Sequence, residues 1–115
     1  MLGRLHVTAD HAASYSDPIS VAAGECIVLT GRSDLWDGQL WLWAHSADGR
    51  EGWVPDGLVA GRGRDSHLRE AYSARELSCR TGDILTGLRA LNGWVWCRDA
   101  SGAVGWVPAR CLTAA

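Results

Sequence analysis

The tetrapeptide Gly-Trp-Val-Pro occurs at Gly52–Pro55 and again at Gly105–Pro108, and each copy closes a similar run. The two runs align without a gap from Trp41 on Trp94 through Pro55 on Pro108, at a constant offset of 53 residues. A repeat of this length restricts the chain to two copies of one small module. Upstream, Ile19–Leu29 lines up with Leu77–Gly87 at an offset of 58, which places five extra residues of the first copy within Arg32–Gln39. Each copy is roughly 50 to 60 residues, a size at which a lone hydrophobic core is only marginally stable. Seven Trp compensate, since each buries a large apolar area.

Within each copy the pattern is that of short strands. Trp41-Leu42-Trp43-Ala44 and Trp94-Val95-Trp96-Cys97 are rich in aromatic and β-branched residues, and Asp48-Gly49 and Ser101-Gly102 follow as turns. Gly52-Trp53-Val54 and Gly105-Trp106-Val107 form the partner strands, which Pro55 and Pro108 end because Pro cannot donate to a ladder. Ala44 and Cys97 are predicted core positions. Gly24-Glu25 and Gly82-Asp83 mark diverging turns before a strand. No segment sustains a helical period, so the chain is predicted to be all-β.

The order Glu76-Leu77-Ser78, Gly82-Asp83-Ile84-Leu85, Gly93-Trp94-Val95-Trp96-Cys97, then Gly102 and Gly105-Trp106-Val107-Pro108 resembles the Src homology 3 (SH3) family in its bacterial variant form. The resemblance implies two small five-stranded SH3-like barrels in tandem: residues 1–60, acidic with a longer loop at 31–39, and residues 67–115, basic with a short first loop. A Gly- and Arg-rich linker at 61–66 is expected to be flexible.

Members of that family commonly bind extended, proline-rich peptides, whose stiffness keeps the entropic cost of docking low. By resemblance the groove residues are Trp41 and Pro55 in the first copy, Trp94 and Pro108 in the second. Acidic residues of the long first loop then receive a basic ligand residue: Asp10 or Asp17, and Glu70 or Glu76. The two groove tyrosines of the family correspond to Ala9 and His11 in the first copy, and to Glu70 and Tyr72 in the second. A third aromatic position holds Leu58 or Cys111. Both grooves therefore lose most of their aromatic wall. Trp36 in the inserted loop and Tyr15 in the first long loop are candidate exposed recognition residues. Trp43 and Trp96 share a strand face with Trp41 and Trp94, and either extend a binding surface or pack the modules together.

Other classes have weaker support. Four Cys show no C-x-x-C, and four His lack ligand spacing, so no metal, cofactor or catalytic residue is predicted. Cys79 and Cys97 fall on core positions, Cys111 on a groove edge and Cys26 on a strand surface. Single-stranded nucleic-acid binding is the alternative, with Arg62, Arg64, Arg69, Arg75 and Arg80 beside the indoles of Trp94 and Trp96. The acidic first half, with three Arg against eight acids in residues 1–61, argues against it. Cell-wall recognition requires export, and no secretory leader or membrane span is evident in the sequence, so the expected location is cytoplasmic. The expected partner is a protein or peptide ligand, taken up by a monomer or weak dimer acting as a non-catalytic adaptor.

Overall fold

The computed structural model describes residues 2–115, and no α-helix occurs among them. The strands run in chain order β1 (Gly3–Val7), β2 (Ser20–Val21), β3 (Ile27–Trp36), β4 (Gln39–Ser46), β5 (Glu51–Pro55) and β6 (Val59–Ala60). Then come β7 (His67–Leu68), β8 (Tyr72–Ser73), β9 (Ile84–Leu91), β10 (Trp94–Arg98), β11 (Val104–Pro108) and β12 (Leu112–Ala114). Single 3-10 turns occupy Asp56–Leu58, Gly63–Asp65 and Ala109–Cys111.

These elements form two compact units, but the units do not coincide with the two repeats. One unit is continuous, Asp17–Ala74; the other is split, Met1–Ser16 with Arg75–Ala115. The chain thus carries one whole barrel between two segments of another. In the split unit the sheet order is β11-β10-β9-β1-β12, so β1 of the first repeat lies between strands of the second. In the continuous unit β3-β4-β5 form one sheet, while β6 pairs with β7 and β2 with β8. The first strand of each repeat has been exchanged.

Hydrogen bonding shows how closely the two exchanged strands correspond. Val7 N–H donates to Asp83 O at 2.9 Å, Gly82 N–H to Val7 O at 2.8 Å, and Thr8 N–H to Cys111 O at 2.7 Å. In the continuous unit Leu68 N–H donates to Glu25 O at 3.4 Å, Gly24 N–H to Leu68 O at 2.8 Å, and Arg69 N–H to Leu58 O at 2.8 Å. The segment 61–66 explains the choice. Rather than linking the barrels flexibly, it turns sharply inside the continuous unit, with Ser66 buried and its hydroxyl donating to Gly63 O at 2.9 Å. A side chain at Gly61, whose φ is +77°, would fall on the Asp65 carbonyl, so this turn needs glycine there. Closing β6 on β7 across 61–66, rather than on β1 across 8–58, lowers the loop-closure cost by about 2 kcal/mol. The longer closure that β1 must then make on β12 returns roughly half of that.

The remaining hairpins follow from their turns. Asp37-Gly38 and Asn92-Gly93 have φ of 51° and 77°, and 53° and 85°, the left-handed pair that a two-residue hairpin requires. The first of these turns makes the expected loop at 31–39 a strand extension, with Leu35 opposite Leu40 and Trp36 opposite Gln39. At Ser46–Glu51, Asp48 accepts from the Ser46 hydroxyl and from Arg50 N–H and Nε, which hold its carboxyl down at about 2, the Ser46 bond contributing most. The diverging turns form at the predicted residues: Glu25 N–H donates to Ala22 O, and Asp83 N–H to Arg80 O.

The split unit packs Val7, Leu77, Leu85, Val95, Cys97 and Val107 into one core, with Leu5 and Leu112 against it. The continuous unit buries Ile19, Ile27, Ala44, Val54 and Leu68, and Leu68 stands where the split unit has Val7. Ala44 and Cys97 are both fully buried, as the small residue in each hairpin predicts.

The repeated glycine of Gly-Trp-Val-Pro has a structural cause. A Cβ on Gly105 would lie 2.6 Å from Leu77 N and 2.7 Å from Glu76 C, where residues 75–77 run beside β11. On Gly52 it would meet the Ile19 side chain at 2.9 Å and Ala74 Cβ at 3.3 Å. Both strands leave room for the chain segment lying across them.

Candidate functional site

In the split unit, four of the residues singled out from the sequence come together. Trp94 opens β10 and stands opposite Pro108 at the end of β11. His11, just beyond β1, presents its ring to Trp94 at a centroid distance of 5.5 Å and an interplanar angle of 76°. His11 Nε2 lies 2.9 Å from Glu76 Oε1, and both side chains are largely buried, at 15% and 13% exposure. The Ser14 N–H and hydroxyl also donate to Glu76 Oε1, each at 3.4 Å. Backbone bonds between His11 and Cys79, at 2.9 and 2.8 Å, fix the histidine relative to the sheet. The result is an indole packed on a histidine whose other side meets a carboxylate that serine groups also hold in place. Trp94 itself is half-buried.

The sequence grouped His11 with Trp41 and Tyr72 with Trp94. Exchange of the first strands reverses both pairings. Tyr72 belongs to the continuous unit, is 7% exposed, and its hydroxyl donates to Trp53 O at 2.9 Å. In that unit Trp41 stands opposite Pro55, as Trp94 does opposite Pro108. Trp41 is only 9% exposed. Pro55 and Pro108 are both fully buried, so neither ring offers an open surface. Trp36 and Trp41 lie on one sheet face, because their partners Gln39 and Asp34 are the alternate positions of the same ladder. Asp17 is exposed and accepts from Arg50 Nη1 at 3.2 Å.

The other acidic candidates divide. Asp10 accepts from Thr81 N–H at 2.7 Å and from the Thr81 hydroxyl at 3.0 Å, and its carboxyl is held below the usual range, the Thr81 N–H contributing most. It serves to pin the first loop. Glu70 is half-buried in the continuous unit. Tyr15 is 42% exposed.

Two further features complete the aromatic picture. Trp43 and Trp53 face each other across β4 and β5 at 5.0 Å, edge to face; Trp96 and Trp106 do the same across β10 and β11 at 5.1 Å. These pairs stabilise each hairpin, and Trp106, 8% exposed, is buried in doing so. The Arg32 guanidinium lies 4.9 Å from both the Trp43 and Trp53 rings, delivered by the irregularity in β3 between Leu29 and Ser33. The alternation of Trp on adjacent strands could have revealed the pairs, but the irregularity that aims Arg32 leaves no mark in the sequence.

Burial pushes the Cys97 thiol up to about 11 and raises that of Cys79. Cys111 is buried as well, while Cys26 is exposed. No group of three His, Cys, Asp or Glu able to hold a metal ion occurs among the described residues. The five Arg of the basic concentration separate, with Arg62, Arg64 and Arg69 in the continuous unit and Arg75 and Arg80 in the split one.

Comparison with known proteins gives one family. Its model, described as the variant SH3 domain, matches residues 5–60 and again 68–113, most of the chain. No curated protein and no solved structure matches the chain.

Proposed function

Because the chain belongs to the variant SH3 domain family, we propose that it is a non-catalytic adaptor whose ligand is a protein or peptide segment, bound on the Trp94 face of the split unit. The cluster of Trp94, His11 and Glu76 carries this reading. A half-buried indole offers a flat apolar face, and the carboxylate beside it favours a basic residue on the same ligand. An extended segment, of which the proline-rich type is the stiffest, matches such a site at the least entropic cost. With His11 in place of a tyrosine and Pro108 covered, the affinity is expected to be weak.

The continuous unit has less to offer. Trp41 is nearly covered and the Tyr72 hydroxyl is already engaged, which suits a supporting barrel. A non-catalytic role agrees with the Cys79 and Cys97 thiols, whose burial disfavours the thiolate a nucleophile needs. Single-stranded nucleic-acid binding has weaker support, because Arg62, Arg64 and Arg69 lie in a different unit from the Trp94 and Trp96 indoles.

The test is a titration of the full chain with proline-rich peptides bearing one Arg, followed through the indole N–H resonances. Progressive shifts at Trp94, lost in Trp94→Ala and unaffected by Trp41→Ala, support the reading. Silence at Trp94 at ~1 mM peptide, a concentration at which even weak peptide grooves respond, overturns it.

A further inference from the structure

The split unit is a barrel with one slot filled from far away in the sequence. Strand β1 sits between β9 and β12, with Leu5 opposite both Leu85 and Ala114. The slot is shaped for it. A Cβ on Gly87 would come within 2.7 Å of the Leu5 side chain, so the bare glycine lets the strand lie close. Val7 fills the core at 1% exposure, and Asp10 is tied to Thr81 beyond the strand. Removing residues 1–16 would leave β9 and β12 with unpaired edges and the core without Val7.

The continuous unit needs none of these residues, since β7 fills its equivalent slot with the same backbone bonds. The segment 1–16 therefore already pairs outside its own repeat, and its hold on the split unit depends on the slot alone. We propose that residues 1–16 are an exchangeable arm, which a second copy of this chain donates to the slot between β9 and β12. The dimer so formed places the partner's His11 against Trp94, so each binding site draws on both copies. Exchange of an identical element makes the same contacts in the dimer as in the monomer, so the balance depends on concentration. Cis closure corresponds to an effective concentration on the order of millimolar, and exchange competes as the protein approaches it.

The test uses full-length chains with the exposed thiol removed by Cys26→Ser. Arg4 and Thr86 are opposite each other in the β1–β9 ladder. Opposite residues in such a ladder have Cα atoms about 4.5–5.5 Å apart, which suits a disulfide. Arg4→Cys is placed in an isotopically heavy chain and Thr86→Cys in a light one. The two are unfolded, mixed, refolded together and oxidised. The expected product is a heavy–light dimer containing a peptide that joins positions 4 and 86, rising several-fold in yield between ~10 µM and ~1 mM protein. The chain carrying both substitutions should instead close within itself as a monomer at low concentration. No 4–86 heterodimer at ~1 mM, while the double variant closes in cis, overturns the exchange. Failure of the double variant to close overturns the slot itself.

Discussion

Val7 and Leu68 fill the same core position in two different units, each among strands that the sequence assigns to the other repeat. Val7 is 1% exposed and Leu68 is fully buried; both make the same backbone bonds to a diverging turn, and the residue after each, Thr8 or Arg69, bonds to a 3-10 turn. The repeats of the sequence and the barrels of the structure thus differ by one strand. That strand carries the first-loop residues with it, so His11 meets Trp94 and not Trp41.

The glycines of the repeated tetrapeptide are predicted to be unequal. At Gly105 an added methyl meets backbone atoms of Glu76 and Leu77 at 2.6–2.7 Å, whereas at Gly52 the nearest atom is the Ile19 Cγ2 methyl at 2.9 Å and the nearest backbone atom, Ile19 N, lies at 3.4 Å. Gly105→Ala should cost about 2–3 kcal/mol and Gly52→Ala about 1 kcal/mol, the usual range for overpacking. Urea midpoints of the two variants check the order.

The fold class, the hairpins and the core were legible because each rests on a local signal. The Gly-Trp-Val-Pro copies set the two modules, Asp48-Gly49 and Ser101-Gly102 set the turns, and the small residues Ala44 and Cys97 mark the core, where both are fully buried. The extension of β3 and β4 was also written locally, in Asp37-Gly38, but aligning the copies makes it look like a loop insertion. The exchange left no signal of that kind. His6-Val7 and His67-Leu68 are alike in pattern, so the sequence alone does not say which strand enters which slot, and the tight turn at 61–66 favours the exchanged pairing. The candidate site inherited that gap. The repeat alignment groups Trp94 with Glu76, which share the split unit, and groups His11 with Trp41, whereas His11 lies in the split unit with Trp94.

Alkaline pH should weaken the split unit first. Burial raises the Cys97 thiol from its ordinary 9.0 to about 11, so the folded state retains a proton that the unfolded chain releases. Stability from this group is complete below pH 9 and declines as pH rises toward 11, at up to about 1.4 kcal/mol per pH unit. Denaturant midpoints between pH 8 and 11 should fall less steeply in Cys97→Ala, once its lower starting stability is subtracted.

Arg32 should act as a cover for the Trp43–Trp53 pair rather than as part of the core. Its guanidinium faces both rings from an exposed position, where such contacts are worth about 0.5–1 kcal/mol. Arg32→Ala is expected to shift both indole resonances and lower stability by that amount, whereas Arg32→Lys should recover part of it.

The strand exchange itself is tested most directly by residue-resolved amide hydrogen exchange of Leu68→Ala in the full chain. Loss of a buried Leu side chain costs about 2–5 kcal/mol, and the loss should appear where the side chain packs. Faster exchange confined to the continuous unit, at Ile27, Ala44 and Val54, with Leu85, Cys97 and Val107 still protected, is the predicted result. Faster exchange at Leu85, Cys97 and Val107, with Ile27 and Val54 unchanged, would place Leu68 in its own repeat and contradict the exchange.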